Sequence, residues 1–154
     1  MNSNRFEKRV KQYEAVLNKH IANKTRWIEN NWFLIEPLNE NDSAIAIRYQ
    51  FDEIRVDIGM VQECYSDKYT GMEFEKGFEK FFKLLSTKIK REEFYKGKYP
   101  YKVHYTFENN GIYELFGTAM TWEFQFWKKL IKKINIQNPI VESELIIKEL
   151  NGIE

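Results

Sequence analysis

The chain contains two histidines and one cysteine, the residue types that most often carry metal-binding, acid–base or nucleophilic chemistry. His20 and His104 form neither an HxxxH nor an HxH pair, and a metal site would also need carboxylates arranged around both rings. Cys64 follows Glu63 and lacks the adjacent cation that activates a catalytic thiolate. We therefore interpret both histidines as structural and the cysteine as passive, and we predict no catalytic residue, no metal and no cofactor.

Three carboxylates, Asp52, Glu53 and Asp57, are the other candidates for acid–base chemistry or cation binding. In the strand pattern described below, Asp57 falls opposite Arg48, which favours a cross-strand ion pair, and the other two carboxylates fall in a turn. The chain also lacks a glycine-rich phosphate loop, a nucleophile elbow and a metalloprotease motif. These patterns favour a protein that is not an enzyme.

Five tyrosines lie among lysines near the ends of predicted elements, in the loop 65–71 (YSDKYTG) and the segment 94–102 (FYKGKYPYK): Tyr65, Tyr69, Tyr95, Tyr99 and Tyr101. Tyrosine suits protein interfaces because its ring supplies contact area and its hydroxyl supplies a polar tip. We predict that these five residues bind a partner protein. The alternative is that some of them only cover the ends of the core.

A second cluster combines cations with large rings: Trp122, Trp127, Lys128, Lys129, Lys132 and Lys133. On a helix the four lysines would form one basic stripe, which could contact nucleic acid or an anionic membrane. The same stripe is typical of the solvent-facing side of an amphipathic helix. For a single run of four lysines we favour the solvent-facing interpretation, so nucleic acid is not predicted as a partner.

Charge and composition exclude several classes of protein. The 154 residues include 24 basic and 23 acidic side chains, and this net charge of +1 argues against a strongly basic nucleic-acid binder or an acidic nucleic-acid mimic. Aromatic residues make up 16% of the chain, so we expect a core or a binding surface rich in rings. No apolar signal region or membrane-spanning stretch occurs, so we expect a cytoplasmic protein. The alternative is secretion without a signal peptide.

The clearest structural signal is the alternation of apolar and polar residues over residues 44–61. It predicts a hairpin that reverses at Asp52-Glu53 and buries one face of both strands. The predicted cross-strand pairs are Phe51 with Ile54, Tyr49 with Val56, Ile47 with Ile58, Arg48 with Asp57 and Gln50 with Arg55.

Further strands are predicted at 32–38 and in a second hairpin with a three-residue loop at Asn109–Gly111. The strands of this second hairpin are 101–108 and 112–117, and its register places Tyr113 and Leu115 on the same face as Phe107, with Phe116 on the other. The polar stretch 62–71 is interpreted as a loop.

Helices are predicted where apolar residues recur every three to four positions. Residues 119–135 also alternate in the manner of a strand, and we favour a helix there because WKKLIKKI has a helical period. The predicted helices are 3–29, Phe74 to Lys96-Gly97, about 120–135, and a last helix that begins at Asn138-Pro139 and ends near Asn151-Gly152.

This order, α-β-β-β-α-β-β-α-α, predicts an α+β fold in which an antiparallel sheet of about five strands packs against helices. Residues 1–154 are expected to form a single domain, because the length is that of one domain and no linker composition interrupts it.

The element order resembles the fold of bacterial secretion chaperones and of several small immunity proteins that neutralise bacterial polymorphic toxins. The stretch 99–117, YPYKVHYTFENNGIYELFG, is similar to the strand-turn-strand of some of those immunity families. Secretion chaperones are usually acidic and dimeric, and this near-neutral chain departs from that pattern. The resemblance implies a cytoplasmic, non-enzymatic protein that binds another bacterial protein. It does not assign a functional role to any residue of this chain, because no functional motif of those families is matched.

The alternative function is a small-molecule binder or an enzyme that uses a ring-lined pocket between sheet and helices. A deep pocket containing His104 and several aromatic residues would favour it, whereas a flat or convex aromatic patch near 65–71 and 94–101 would favour the partner-binding function.

Overall fold

A computed structural model describes residues 3–66 and 73–152 of the chain. In these residues one helix separates two groups of strands and two further helices precede and follow them, which confirms the predicted α+β class. The elements are α1 (Ser3–His20), β1 (Thr25–Glu29), β2 (Trp32–Ile35), β3 (Ile45–Gln50), β4 (Glu53–Ile58), β5 (Val61–Ser66), α2 (Glu73–Ser86), β6 (Lys88–Tyr95), β7 (Pro100–Asn109), β8 (Ile112–Met120), β9 (Ile131–Gln137) and α3 (Ser143–Asn151).

The strands form two antiparallel sheets where one sheet was predicted. Sheet A contains five strands in the order β1-β2-β3-β4-β5, so each strand pairs with its neighbour in the chain. Sheet B contains four strands in the order β8-β7-β6-β9, which places β8 and β9 at its two edges. Buried side chains from both sheets and all three helices belong to one connected apolar cluster.

The predicted central hairpin exists as β3 and β4, but its register differs by two residues. Its turn consists of Phe51 and Asp52, both with positive φ angles (54° and 58°), a two-residue turn that usually takes asparagine or glycine. The turn was predicted one position later because neither residue is typical of it. Ile47, Tyr49, Ile54, Val56 and Ile58 face the core as predicted, whereas Phe51 is 75% exposed in the turn. Arg48 still approaches Asp57 at 3.6 Å, now along a diagonal.

The first predicted helix is too long, because α1 ends at His20 and residues 25–29 form β1. Asn23 adopts a positive φ of 57° between the two elements, which reverses the chain. Trp27 then packs on Phe33 of β2, with ring centroids 5.2 Å apart. The apolar residues of β1 happened to continue the helical spacing of α1, so the pattern alone did not reveal the boundary.

Two further assignments were wrong around α2. The first five residues of the predicted loop 62–71 belong to β5, an edge strand that is polar because its outward face meets solvent. The predicted second helix ends at Ser86, and residues 88–95 form β6, an interior strand of sheet B. The stretch KIKREEFY is rich in good helix formers, but pairing with strands on both sides outweighs that weak local preference.

The second hairpin has a two-residue turn at Asn110-Gly111, one residue shorter than predicted, since Asn109 pairs with Ile112. A shift of one residue exchanges the faces of a strand. Phe116 therefore lies in the core, whereas Tyr113 and Leu115 are exposed.

The predicted helix over residues 119–135 is absent. Residues up to Met120 belong to β8, residues 121–130 form an irregular loop, and residues 131–137 form β9. The strand-like alternation noted for residues 119–135 is therefore the correct interpretation at both ends of this segment. The last helix begins at Ser143, not at Pro139, and it ends at Asn151 as expected.

Two features of the core determine how α2 packs on sheet A and how sheet A packs on sheet B. Gly77 lies where α2 crosses sheet A, and a Cβ at this position would be 2.9 Å from Cγ2 of Ile54, so only glycine allows this approach. Between the sheets, the buried Ser43 hydroxyl lies 2.8 Å from the Tyr105 hydroxyl and accepts a hydrogen bond of 2.8 Å from Arg91. Sheet A and sheet B are thus joined by polar as well as apolar contacts.

Candidate functional site

The five predicted tyrosines are distributed over different parts of the fold. Tyr65 is a buried residue of β5 whose hydroxyl donates to Glu63, and burial together with this hydrogen bond raises the pKa of the phenol. Tyr69 lies outside the described residues. Tyr95, Tyr99 and Tyr101 lie together at one end of sheet B, where β6 turns into β7.

The loop between β8 and β9 is anchored against this turn. The amide of Gln125 donates to the carbonyl of Lys96 (2.9 Å), and the amide of Thr121 donates to the carbonyl of Tyr101 (2.8 Å). Phe124 packs on Tyr101 with ring centroids 4.8 Å apart. These contacts hold the two chain segments side by side, and we refer to residues 94–102 and 121–133 together as the aromatic–lysine surface.

Large rings on the aromatic–lysine surface are exposed to an unusual degree. Solvent reaches 86% of Trp122, 73% of Tyr99, 71% of Phe126 and 68% of Trp127. Phe126 and Trp127 contact one another edge to face at 5.1 Å, so their exposed area is contiguous. Apolar groups clustered in this way on a folded surface usually mark a site of interaction.

The basic cluster predicted on a helix has a different arrangement. Lys128 and Lys129 lie on the β8–β9 loop, whereas Lys132 and Lys133 are successive residues of β9 and therefore point to opposite faces of sheet B. Lys132 lies over the ring of Phe94 (5.5 Å), and Lys133 lies over Tyr95 (4.8 Å). The four lysines do not form one stripe: Lys128 and Lys129 directly follow the exposed Trp127 in the chain, whereas Lys132 and Lys133 contact the half-buried rings of β6.

One face of sheet B is directed away from the core and carries His104 at its centre. The ring of His104 contacts Phe94 edge to face at 5.8 Å, and its Nδ1 lies 2.6 Å from the Thr118 hydroxyl. Partial burial and the nearby ammonium of Lys102 lower the pKa of His104. The neutral imidazole is therefore favoured in the folded protein.

This shift predicts that His104 makes the fold sensitive to acid. The folded-state pKa lies below the unfolded value of about 6.5, so its contribution to stability is complete above that pH and is lost as the pH falls through the unfolded value toward the folded one. NMR titration should place the His104 pKa below 6.5, and His104→Gln should remove part of the acid destabilisation measured by urea unfolding. A His104 pKa at or above the ordinary value would contradict this assignment.

A groove of about 620 Å³ lies at the other end of sheet B, between α1, α2, α3 and the β7–β8 turn. Its wall includes four rings, Tyr13, Phe78, Phe82 and Phe107, and it does not include His104. Both cations that line the groove are paired within the protein, because Lys83 contacts Glu114 at 2.8 Å and Arg9 contacts Glu75 at 2.6 Å. The groove is thus chemically suited to an apolar molecule.

The remaining candidates for chemistry are dispersed. His20 contacts Glu149 of α3 at 3.1 Å, Cys64 is an exposed thiol on β5, and Asp52 accepts a hydrogen bond of 3.0 Å from Tyr49. Within residues 3–66 and 73–152, no group of three or more histidine, cysteine or acidic side chains is arranged to hold a metal ion. None of the helices in that part of the chain is long and apolar enough to cross a membrane.

Sequence reasoning found Tyr95, Tyr99 and Tyr101 but did not join them to Trp122, Phe126 and Trp127. The signal was present in the strand-like alternation of Met120, Trp122, Phe124 and Phe126, which is incompatible with one buried helical face. Comparison with known proteins adds no further guide, because no protein-family model, no curated protein and no solved structure matches the chain.

Proposed function

We propose that the protein is a non-enzymatic protein-binding module, a bacterial immunity protein or a chaperone-like partner, that binds another protein through the aromatic–lysine surface. The observation that carries the proposal is the exposure of Trp122 and of the contacting pair Phe126 and Trp127 on one loop whose backbone is hydrogen-bonded to the β6–β7 turn. Tryptophan and tyrosine are the residues most enriched among those that dominate binding energy at interfaces.

The anchoring contacts support this role, because they reduce the ordering that binding would otherwise require. A loop held by Lys96 and Tyr101 at its base presents its rings in a largely fixed arrangement, so less conformational entropy is lost when a partner covers them. Such a surface would act as an inhibitor or chaperone by covering a site on the partner, without chemistry of its own.

The proposal is tested by capturing the partner from the native host with tagged protein, purifying it and titrating it by calorimetry. We expect Trp122→Ala combined with Trp127→Ala to weaken binding at least about a hundredfold, because each buried anchor typically contributes 2 kcal/mol or more. The matched control, Ile112→Ala with Tyr113→Ala, removes two large side chains that are also more than half exposed, from the opposite end of sheet B. Unchanged affinity in the tryptophan variant, or equal losses in both variants, would refute the proposal.

The second candidate function is binding of an apolar small molecule, supported by the ring-lined groove at the β7–β8 turn. The two sites are separable, because β7 spans ten residues, or about 30 Å, between them. A ligand of the groove should therefore stabilise the tryptophan variant and the original protein to the same extent in thermal unfolding.

A further inference from the structure

The near-zero net charge of the chain conceals a strong separation of charge. The aromatic–lysine surface contains seven lysines and one acidic residue, Glu123. Since the whole chain has 24 basic and 23 acidic residues, the remainder carries 17 basic and 22 acidic side chains, a net charge of −5. Folding brings the two basic segments together at one end of sheet B, so their lysines form a positive patch that wraps around this end, with Lys132 and Lys133 on opposite faces of β9, on an otherwise negative body.

Most of these lysines are held in place by aromatic rings. The side-chain nitrogens of five of them lie 4.8 to 5.9 Å from ring centroids: Lys96 over Phe124, Lys98 over Tyr99, Lys102 and Lys132 over Phe94, and Lys133 over Tyr95. This cation–π arrangement orients each ammonium without neutralising its charge.

The patch is also poorly neutralised from within the protein. One carboxylate within residues 3–66 and 73–152 lies at ion-pair distance from a lysine of the aromatic–lysine surface. This is Glu92, which contacts Lys132 at 2.5 Å. Elsewhere in the fold, lysines such as Lys11, Lys19, Lys76 and Lys83 each contact a carboxylate. The positive charge of the aromatic–lysine surface is therefore available to an anionic partner.

We propose that the aromatic–lysine surface recognises an acidic face of a folded protein, in which carboxylates meet the lysines and apolar side chains meet the exposed rings. This inference rests on the protein-binding function proposed above and specifies the chemistry of the partner. Ammonium groups oriented by rings match carboxylates at fixed positions, and their prior ordering lowers the entropic cost of binding. A lipid layer has no fixed carboxylates to match.

The negative body favours the same class of partner. An extended polyanion, such as a membrane plane or a long nucleic acid, faces a large part of the molecule and is repelled by the net charge of −5 outside the surface. A compact acidic protein can contact the positive patch alone, and the remaining negative charge then orients the two molecules as they approach.

The test uses a displayed library of one small three-helix domain with a randomised helix face, selected against the full chain. We expect selected domains to be enriched in aspartate and glutamate together with large apolar residues. Changing Lys128, Lys129, Lys132 and Lys133 to Gln should weaken the selected domains about tenfold or more and flatten the dependence of affinity on salt. The control changes Lys8, Lys11, Lys76 and Lys148 to Gln, which removes the same charge from other exposed positions and should alter affinity less than threefold.

The outcomes separate this inference from the protein-binding function. Selected domains without acidic enrichment, whose binding is lost with Trp122→Ala and Trp127→Ala, would overturn the acidic partner while supporting the protein-binding function. Failure to select any domain would overturn both, and binding of vesicles of equal parts phosphatidylcholine and phosphatidylserine, or of a single-stranded oligothymidylate, through the same lysines would then assign the surface to a polyanion. Equal losses in the two lysine variants would also overturn the acidic partner.

Discussion

Replacing Phe78 with alanine should destabilise the folded protein by about 3–5 kcal/mol, the usual cost of removing a buried aromatic ring. Phe78 is 1% exposed and lies where α2 meets α1, with its ring centroid 6.1 Å from that of Phe6 and 6.4 Å from that of Tyr13. The Arg9 guanidinium covers another side of the ring at 4.0 Å. All of these contacts would be lost together.

The expected loss lies at the high end because the helix cannot move inward to fill the space. The preceding residue, Gly77, already brings the backbone of α2 against Ile54 of sheet A. The cavity left by the Phe78 ring would therefore persist, and the cost of a truncation rises with the cavity that remains. Equilibrium urea unfolding followed by circular dichroism would measure the change in the free energy of unfolding.

Phe82 provides a matched control, since it is a phenylalanine on the same helix that is only partly buried. Phe82→Ala should cost less than half as much as Phe78→Ala, because part of the Phe82 ring remains in solvent when the protein is folded. If the two variants lost equal stability, or if Phe78→Ala cost less than about 1.5 kcal/mol, the packing described for α2 would be incorrect.

The parts of the fold that could be predicted are those in which local signals agree. The α+β class and the two hairpins followed from alternation, and the last helix was placed within a few residues, because each of these patterns repeats over a full element. The errors concern boundaries and register. Phe51 and Asp52 occupy a turn that neither residue type favours, and Asn110-Gly111 was taken as part of a longer loop.

Strands β6 and β9 show why the remainder could not be read from local pattern. β6 contains two lysines, one arginine and two glutamates, so its local preference is helical, and β9 begins within WKKLIKKI, whose apolar residues have a helical period. They become strands because β6 lies in the interior of sheet B and pairs with β7 on one side and β9 on the other. Such pairing depends on residues distant in the chain, which a window of local sequence does not contain.

The candidate site was only partly predictable for the same reason. The tyrosine–lysine segment 94–102 was recognised from its composition, but its contact with residues 121–130 depends on the sheet B pairing that was not foreseen. The charge separation was equally hidden, because the two basic segments are about twenty residues apart in the chain and the net charge is +1. Composition averaged over the chain therefore argued against a basic surface that folding creates.

A second large effect is expected from Gln137→Leu, which should destabilise the protein by roughly 2–5 kcal/mol. Gln137 is the last residue of β9 and is buried, and its side-chain amide forms two hydrogen bonds with the backbone of Ser43. Its Oε1 accepts from the Ser43 amide at 2.8 Å, and its Nε2 donates to the Ser43 carbonyl at 3.3 Å. Leucine would leave both backbone groups buried and unpaired.

Two comparisons isolate this effect from simple loss of packing. Asn138→Leu introduces the same side chain at the next, exposed position and should change stability by less than about 0.5 kcal/mol. Ser43→Ala keeps both backbone hydrogen bonds and removes only the hydroxyl that meets Tyr105 and Arg91, so its cost should be smaller than that of Gln137→Leu.

Hydrogen exchange supplies an independent readout, because the Ser43 amide is the donor in question. We expect this amide to exchange slowly in the original protein and in Ser43→Ala, and much faster in Gln137→Leu under conditions where other core amides remain protected. Fast exchange in all three proteins would mean that the connection between the sheets is open in solution. Slow exchange in all three proteins, together with a loss of stability in Gln137→Leu, would instead assign the cost to apolar packing between sheet A and sheet B.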